Sequence, residues 1–283
     1  MSANRRPAAD GPIGVFDSGV GGLSVVRGLL AELPAERLYY VADSANCPYG
    51  PRSEGEIQAL SEEISRFLIG QGAKLIVVAC NTASAAALAH LRAVFPATPF
   101  VGMVPAVKPA AQITHSGAIG VLATPATFSG RLYQEVVEHY ASGARVVSQI
   151  CPGLVECVEA GDLDGPQTMA LLRGYVEPLL AAGADTLVLG CTHYPFLTPA
   201  LRRIVGEAIA IIEPSAAIAR QAARVLEREG LLRPAASAPP QHVFATTGDP
   251  AQLTRSLRRL LGVKAEGQAL RWEGRDMVVE AKD

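Results

Sequence analysis

Two stretches of this 283-residue chain resemble each other in a way that bears on chemistry. Ala73-Lys-Leu-Ile-Val-Val-Ala-Cys80-Asn-Thr matches Ala184-Asp-Thr-Leu-Val-Leu-Gly-Cys191-Thr-His at an offset of 111 residues. Each reads as a buried strand that delivers a cysteine at its C-terminal end, next to a helix start. A helix N-terminus favours the thiolate. At an unperturbed pKa near 8.5 only ~3% of a thiol is ionised at pH 7, so this placement predicts a larger ionised fraction. Two such thiols facing one cleft from opposite sides could perform a two-base proton transfer. One thiolate removes a proton from one face of a carbon, and the other thiol delivers a proton to the opposite face. The outcome is inversion of a stereocentre without a cofactor.

Other polar groups fall at strand ends, where ligands bind in open α/β sheets. These are Asp17-Ser18-Gly19, Asp43-Ser44 shortly before Pro48-Tyr49-Gly50, Asn81-Thr82 and Thr192-His193. The glycines Gly19, Gly21 and Gly22 do not form a dinucleotide fingerprint, because position 24 is Ser24, and no Gly-Lys-Ser/Thr is present. They read as a tight turn that lets a helix pack on the sheet. The five histidines are scattered and no Cys-x-x-Cys occurs, so no metal site is expected. None of the four lysines lies at a strand C-terminus, which disfavours a pyridoxal Schiff base. No cofactor is expected. Cys47, Cys151 and Cys157 read as small hydrophobes, Cys47 with the reservation that its loop is near the site.

The elements that must position these groups are legible as apolar runs. Ile13–Asp17, Leu38–Asp43, Leu75–Cys80, Phe100–Met103, Ile119–Leu122, Ala144–Val147, Thr186–Leu189, Ala208–Ile212 and Val243–Thr246 are apolar throughout, as strands buried on both faces of a parallel sheet are. Helical stretches lie between them. Ser53 to Glu56 fits a capping box, with an apolar stripe from Ile57 to Leu68 behind it. Thr124–His139, Gln167–Ala182, Pro195–Val205, Ala216–Glu229 and Ala251–Leu261 read the same way, with Pro178 expected to kink or end its helix. Ile13-Gly-Val-Phe-Asp-Ser also resembles Ile119-Gly-Val-Leu-Ala-Thr at an offset of 106 residues. Together these predict two similar open parallel-sheet α/β halves related by duplication, with the active site in the cleft between them.

Composition bounds the function. The chain is 49% hydrophobic and 18% charged, enough for a packed core. Its net charge is -2, which argues against nucleic acid or a membrane as the main partner. No apolar run approaches a membrane span, and no secretory h-region follows Arg5 and Arg6. Five cysteines do not suggest a disulfide framework, so a cytoplasmic protein with reduced thiols is expected. Residues 1–12 are expected to be a loose tail.

Taken together, Asp17-Ser-Gly-Val-Gly-Gly-Leu, Pro48-Tyr-Gly, Ala79-Cys-Asn-Thr-Ala, Gly190-Cys-Thr-His-Tyr-Pro and Thr246-Thr-Gly-Asp resemble glutamate racemases of the aspartate/glutamate racemase family. The resemblance runs from about Ile13 to Gly262. It implies cofactor-independent interconversion of L- and D-glutamate, supplying D-glutamate for peptidoglycan. It implies Cys80 and Cys191 as the catalytic pair, on the D- and L-glutamate sides respectively, assisted by Asp17 and His193. Asp17, Ser18, Tyr49, Gly50, Asn81, Thr82, Thr192 and His193 match substrate contacts, and Thr127 a carboxylate contact. A further carboxylate is implied in the segment carrying Glu156 and Glu159, and the spacing to Cys191 favours Glu159. The family's first domain is discontinuous, which implies 13–103 plus 214–283 with 104–213 inserted. The implied partner is glutamate; the oligomeric state is left open, a homodimer included. The alternatives are a racemase for aspartate or another amino acid, and a non-catalytic binding protein on the same fold that uses the basic face of Arg255, Arg258 and Arg259.

Overall fold

The computed structural model describes residues 8–141, 143–234, 238–274 and 276–280. Its strands are β1 (Ile13–Asp17), β2 (Leu38–Ala42), β3 (Leu75–Val78), β4 (Phe100–Val101), β5 (Ala118–Ala123), β6 (Arg145–Ile150), β7 (Thr186–Leu189), β8 (Ala210–Ile212), β9 (Val243–Thr246), β10 (Gly267–Glu273) and β11 (Asp276–Val279). They form two sheets, of order β11-β10-β9-β2-β1-β3-β4 and β6-β5-β7-β8. Every pairing is parallel except the β10–β11 hairpin.

The order β2-β1-β3-β4 in one sheet is repeated as β6-β5-β7-β8 in the other. Register is repeated as well. Ile13 lies beside Leu75 in the first sheet, and Ile119 beside Thr186 in the second. Ile13 and Ile119 open one matched pair of segments, and Leu75 and Thr186 are equivalent positions of the other, so the internal repeat is a repeat of architecture. The continuous apolar runs have the expected cause: β1, β2, β3, β5 and β7 are buried along their whole length. The edge strand β6, by contrast, has no buried residue.

One apolar cluster runs through both halves. It joins Val25 and Leu29 of the helix Leu23–Glu32 to Leu154, Leu189, Phe196 and Leu201. Helix Ser215–Glu229 packs on Leu23–Glu32. A second cluster lies on the other face of the larger sheet, between β1–β3 and the helices Glu54–Gly70 and Asn81–Val94, with Leu270 and Met277 of the hairpin. The Ser53–Glu56 capping box is formed.

Several details differ from expectation. Helix Pro166–Ala181 runs past Pro178. It ends where Gly183 takes φ +84 and the N–H groups of Gly183 and Ala184 close onto Leu180 and Leu179. The stretch from Thr124 is two helices, Pro125–Ser129 and Arg131–Tyr140, separated at Gly130. The stretch from Pro195 begins as a 3-10 turn, Tyr194–Leu197, before the helix Thr198–Val205. The β10–β11 hairpin was not legible, because Gln268, Arg271, Glu273 and Asp276 break up its apolar pattern.

Residues 1–7 of the expected loose tail lie outside the described residues. Residues 8–12 are tied down at the N-terminal end of the larger sheet. Lys74 Nζ donates to Ala9 O at 2.6 Å, the Lys74 N–H to Pro12 O at 2.9 Å, and Arg233 pairs with Asp10 at 2.9 Å. Lys74 also pairs with Glu36 at 2.6 Å, both side chains being buried. No helix among the described residues is long and apolar enough to cross a membrane.

Candidate active site

The candidate residues collect at the C-terminal strand ends of both sheets. Cys80 follows β3 and caps the helix Asn81–Val94, its Sγ accepting from the Ala83 N–H at 3.4 Å. This bond stabilises a thiolate, as a helix start predicts. Burial, and then the neighbouring Asp17 carboxylate, outweigh it and push the Cys80 thiol well above its usual value. The expected gain in thiolate at Cys80 is thus opposed by its surroundings. Ser18 Oγ lies 4.0 Å from Cys80 Sγ.

Cys191 follows β7, but no helix starts directly after it. A turn over residues 191–193 leads into the 3-10 segment. What Cys191 has instead is an imidazole, His193 Nδ1, at 3.7 Å. His193 Nε2 in turn bonds Glu159 Oε1 at 2.7 Å, and that oxygen also accepts from the Val20 N–H at 2.7 Å. Burial works against charge on His193, but the bonds to Cys191 and Glu159 prevail and raise its pKa well above the ordinary value. Glu159 is the counterpart. Burial opposes its ionisation, yet His193, Val20 and Cys47 together hold it below the carboxylate norm. The protein brings Glu159 to His193, while Glu156 on the same helix is exposed.

Asp17 stands between the two thiols' surroundings. Its Oδ2 accepts from the Gly22 N–H at 2.6 Å and from Thr192 Oγ1 at 3.4 Å. Its Oδ1 is buried without a partner. Burial raises its pKa, against the pull of nearby His193. Asn81 is buried with neither side-chain amide atom satisfied. A buried amide and a buried carboxylate oxygen without partners carry a desolvation cost that a polar ligand relieves.

The glycine loop has a role that its sequence only half announced. A Cβ on Gly21 would lie 2.7 Å from His193 Cγ and nearer still to Nδ1. One on Gly22 would lie 2.7 Å from Asp17 Cβ, and one on Gly19 would strike the Glu159 carboxylate. The glycines are there for close approach of side chains, not for a phosphate.

Across the cleft, Thr82, Thr124 and Thr127 form a hydroxyl chain with both links at 3.0 Å. It joins a helix of the larger sheet to the loop after β5. Thr192, Thr127 and Ser18 are buried. Tyr49 is buried, with Gly50 beside it in partial exposure, after a cis Cys47–Pro48 bond.

Two features escaped the sequence reading. Cys47, read mainly as a small hydrophobe, has its Sγ 3.8 Å from Glu159. Burial and then Glu159 push its thiol far up, so it stays protonated. Asp43 is a fully buried hub. Its carboxylate accepts from Tyr49 Oη at 2.7 Å, Thr247 Oγ1 at 2.8 Å, Trp272 Nε1 at 2.9 Å and Asn46 Nδ2 at 3.1 Å. Strand-end acids were visible in the sequence, but a partner 229 residues away was not.

Among the described residues, donor atoms of Cys47, Glu159 and His193 lie within 4.8 Å of one another. At 2.7 Å the histidine–glutamate contact is a hydrogen bond, which engages the imidazole nitrogen and the carboxylate oxygen with each other.

The arrangement suits proton transfer at a carbon. Two thiols occupy equivalent strand ends of two like half-sheets, close enough for the charge of one to oppose ionisation of the other. Each has its own acid–base partner. Known proteins point the same way. A sequence profile described as Asp/Glu/Hydantoin racemase matches residues 13–222. A glutamate racemase of Roseiflexus sp. (strain RS-1) is 55% identical over 249 residues, covering 88% of this chain and 92% of that one. The crystal structure of a glutamate racemase isoform from Bacillus anthracis matches with a TM-score of 0.83 at 34% identity, over 94% of this chain and 98% of that one. The structure of the Francisella tularensis glutamate racemase in complex with D-glutamate matches with a TM-score of 0.81 at 30% identity, over 95% and 99%. With its two thiols set at matching strand ends and these relatives along most of its length, the chain belongs to the Asp/Glu/hydantoin racemase family.

Proposed function

We propose that this protein interconverts L- and D-glutamate without a cofactor, by a two-base transfer between Cys80 and Cys191. The observation that carries the reading is the pair of thiols at register-matched strand ends, each backed by a separate acid–base group. In one direction the Cys80 thiolate takes the α-proton of D-glutamate and becomes a thiol, while the Cys191 thiol gives its proton to the other face. L-Glutamate reacts in the opposite sense, and each turnover leaves the two sulfurs with exchanged protonation states.

Asp17 serves the Cys80 side, and His193 with Glu159 serves the Cys191 side. Ser18, Tyr49, Gly50, Asn81, Thr82, Thr127, Thr192, His193 and Asp17 hold the substrate. Neutral hydroxyl and amide groups suit a carboxylate whose charge must stay balanced as a carbanion develops at the α-carbon. Burial of the site keeps water from competing for that carbanion. We assign 13–103 with 214–283 as one unit and 104–213 as the inserted one, with the site between them. A cytoplasmic location and a supply of D-glutamate for peptidoglycan belong to the same reading.

The test is racemisation of glutamate in deuterated water with no added cofactor, followed for deuterium in each enantiomer. Deuterium should enter the α-position of the product enantiomer first. Cys80→Ser and Cys191→Ser should each reduce net racemisation by at least about a hundredfold. Near-normal turnover in either variant overturns the two-base scheme. Turnover of aspartate but not glutamate overturns the substrate assignment.

A further inference from the structure

Asp43 links two regions that are far apart in the chain. Through its backbone N–H it bonds Asp17 O at 2.9 Å, so it is anchored to the strand end that carries the site. Through its carboxylate it takes the hydroxyl of Tyr49, from the substrate loop, and the indole N–H of Trp272, from the C-terminal hairpin. The Tyr49 hydroxyl therefore points away from any ligand as a donor, and burial with the adjoining carboxylate raises its pKa well above the usual range. Tyr49 is an anchor for the Pro48-Tyr49-Gly50 backbone, and Asp43 is what it is anchored to. The same loop is tied twice more, by Asn46 on Asp43 and by Arg52 Nε on Asn46 O at 2.8 Å.

The hairpin explains why Asp43 stays in place. Trp272 sits on β10, whose only parallel neighbour, β9, separates it from β2. Its indole reaches past the end of β9, where Thr247 fills the second site on the same oxygen, Asp43 Oδ1. Leu270, two residues earlier, is buried in the core shared with Tyr49 and Met277, and Trp272 packs against that core. In the hairpin, Trp272 and Met277 are register partners.

We propose that the Trp272 indole N–H positions the substrate loop, acting through Asp43 on Tyr49 and Gly50. Trp272 is a positioning residue, because its indole touches the hub rather than the cleft. The inference rests on the glutamate reading above, in which Tyr49 and Gly50 hold substrate, Tyr49 through its backbone because its hydroxyl is given to Asp43.

Trp272 is the single tryptophan of the chain, so tryptophan emission reports the surroundings of this indole alone. The experiment compares the full-length wild type with Trp272→Phe, which keeps an aromatic ring but removes the N–H donor. Met277→Ala loosens the same hairpin without touching Asp43 and serves as the control. Wild-type emission should change saturably with added D-glutamate, with a midpoint that follows KM. Trp272→Phe should raise KM for both enantiomers roughly three- to tenfold, the effect of one hydrogen bond, with kcat within about twofold. Met277→Ala should lower the melting temperature while leaving KM near the wild-type value.

An active wild type whose Trp272→Phe variant keeps the wild-type KM overturns this inference alone. An equal rise in KM from Met277→Ala also overturns it, since the effect would then be one of hairpin packing. A wild type inactive on glutamate overturns the functional reading and this inference with it.

Discussion

Two carboxylates in one site are pushed in opposite directions by their surroundings. Asp17 is buried with one oxygen unpartnered and is raised, while Glu159 is paired with an imidazole and is lowered. Such divergence assigns acid and base roles. The sign of the linkage follows for the His193–Glu159 pair. His193 is raised, so its contribution to stability is complete below its ordinary 6.5 and is lost as pH rises through the raised value. Glu159 is lowered, so its contribution is complete above its ordinary 4.5 and is lost as pH falls through the lowered value. Glu159→Gln should therefore cost most stability between about pH 4.5 and 6.5. The same change removes a carboxylate that holds the imidazolium. The alkaline limb of the pH–rate profile for L-glutamate should then move to lower pH, and an unmoved limb would show that His193 does not govern it. Residue identities at this scale were legible because strand-end motifs are local. The partners were not: Cys47 on Glu159 and Trp272 on Asp43 span 112 and 229 residues, and no spacing rule reports a contact of that range.

At the scale of elements, the turn between β1 and the helix Leu23–Glu32 is shaped by what lies against it. Gly21 keeps an ordinary backbone conformation, and the nearest obstacle to alanine there is the His193 ring. Gly21→Ala should displace the imidazole from both Cys191 and Glu159. Activity should fall by at least about a hundredfold, because an ångström of misplacement is that costly at a reacting centre, and the far-ultraviolet circular dichroism should be unchanged. Retention of wild-type kcat would refute the close-approach account. The parallel strands were readable because burial on both faces leaves continuous apolar runs. The β10–β11 hairpin was not, because one face is solvated and Arg271, Glu273 and Asp276 sit at strand positions. Pro178 does not end its helix: residues up to Ala181 follow it, and Gly183 sets the end.

For the molecule as a whole, chemistry and support occupy opposite ends of the larger sheet. At the N-terminal end, Lys74 and Glu36 form a buried ion pair that also gathers Ala9 and the Arg233 backbone. Removing one partner leaves a charge buried without its counter-ion, which costs about 3–5 kcal/mol. Lys74→Met should lower the unfolding free energy by about that amount in urea titration, with kcat/KM unchanged in the fraction that remains folded. A loss below about 1 kcal/mol would mean that Glu36 finds another donor. The doubled strand order was foreshadowed by two matched segments, yet only the register of Ile13 with Leu75 and of Ile119 with Thr186 makes it a true repeat.

The halves match in strand order but not in the company their cysteines keep: Cys80 has Asp17, and Cys191 has His193 and Glu159. Mirror-image substrates have equal free energies in water, so their equilibrium constant is one whatever surrounds the two sulfurs. The Haldane relation then requires kcat/KM to be identical for the two directions. The unlike surroundings can only trade kcat against KM, so that one enantiomer binds tighter and turns over more slowly in equal proportion. A substitution on either side of the cleft, however lopsided its structural effect, must lower both specificity constants by the same factor.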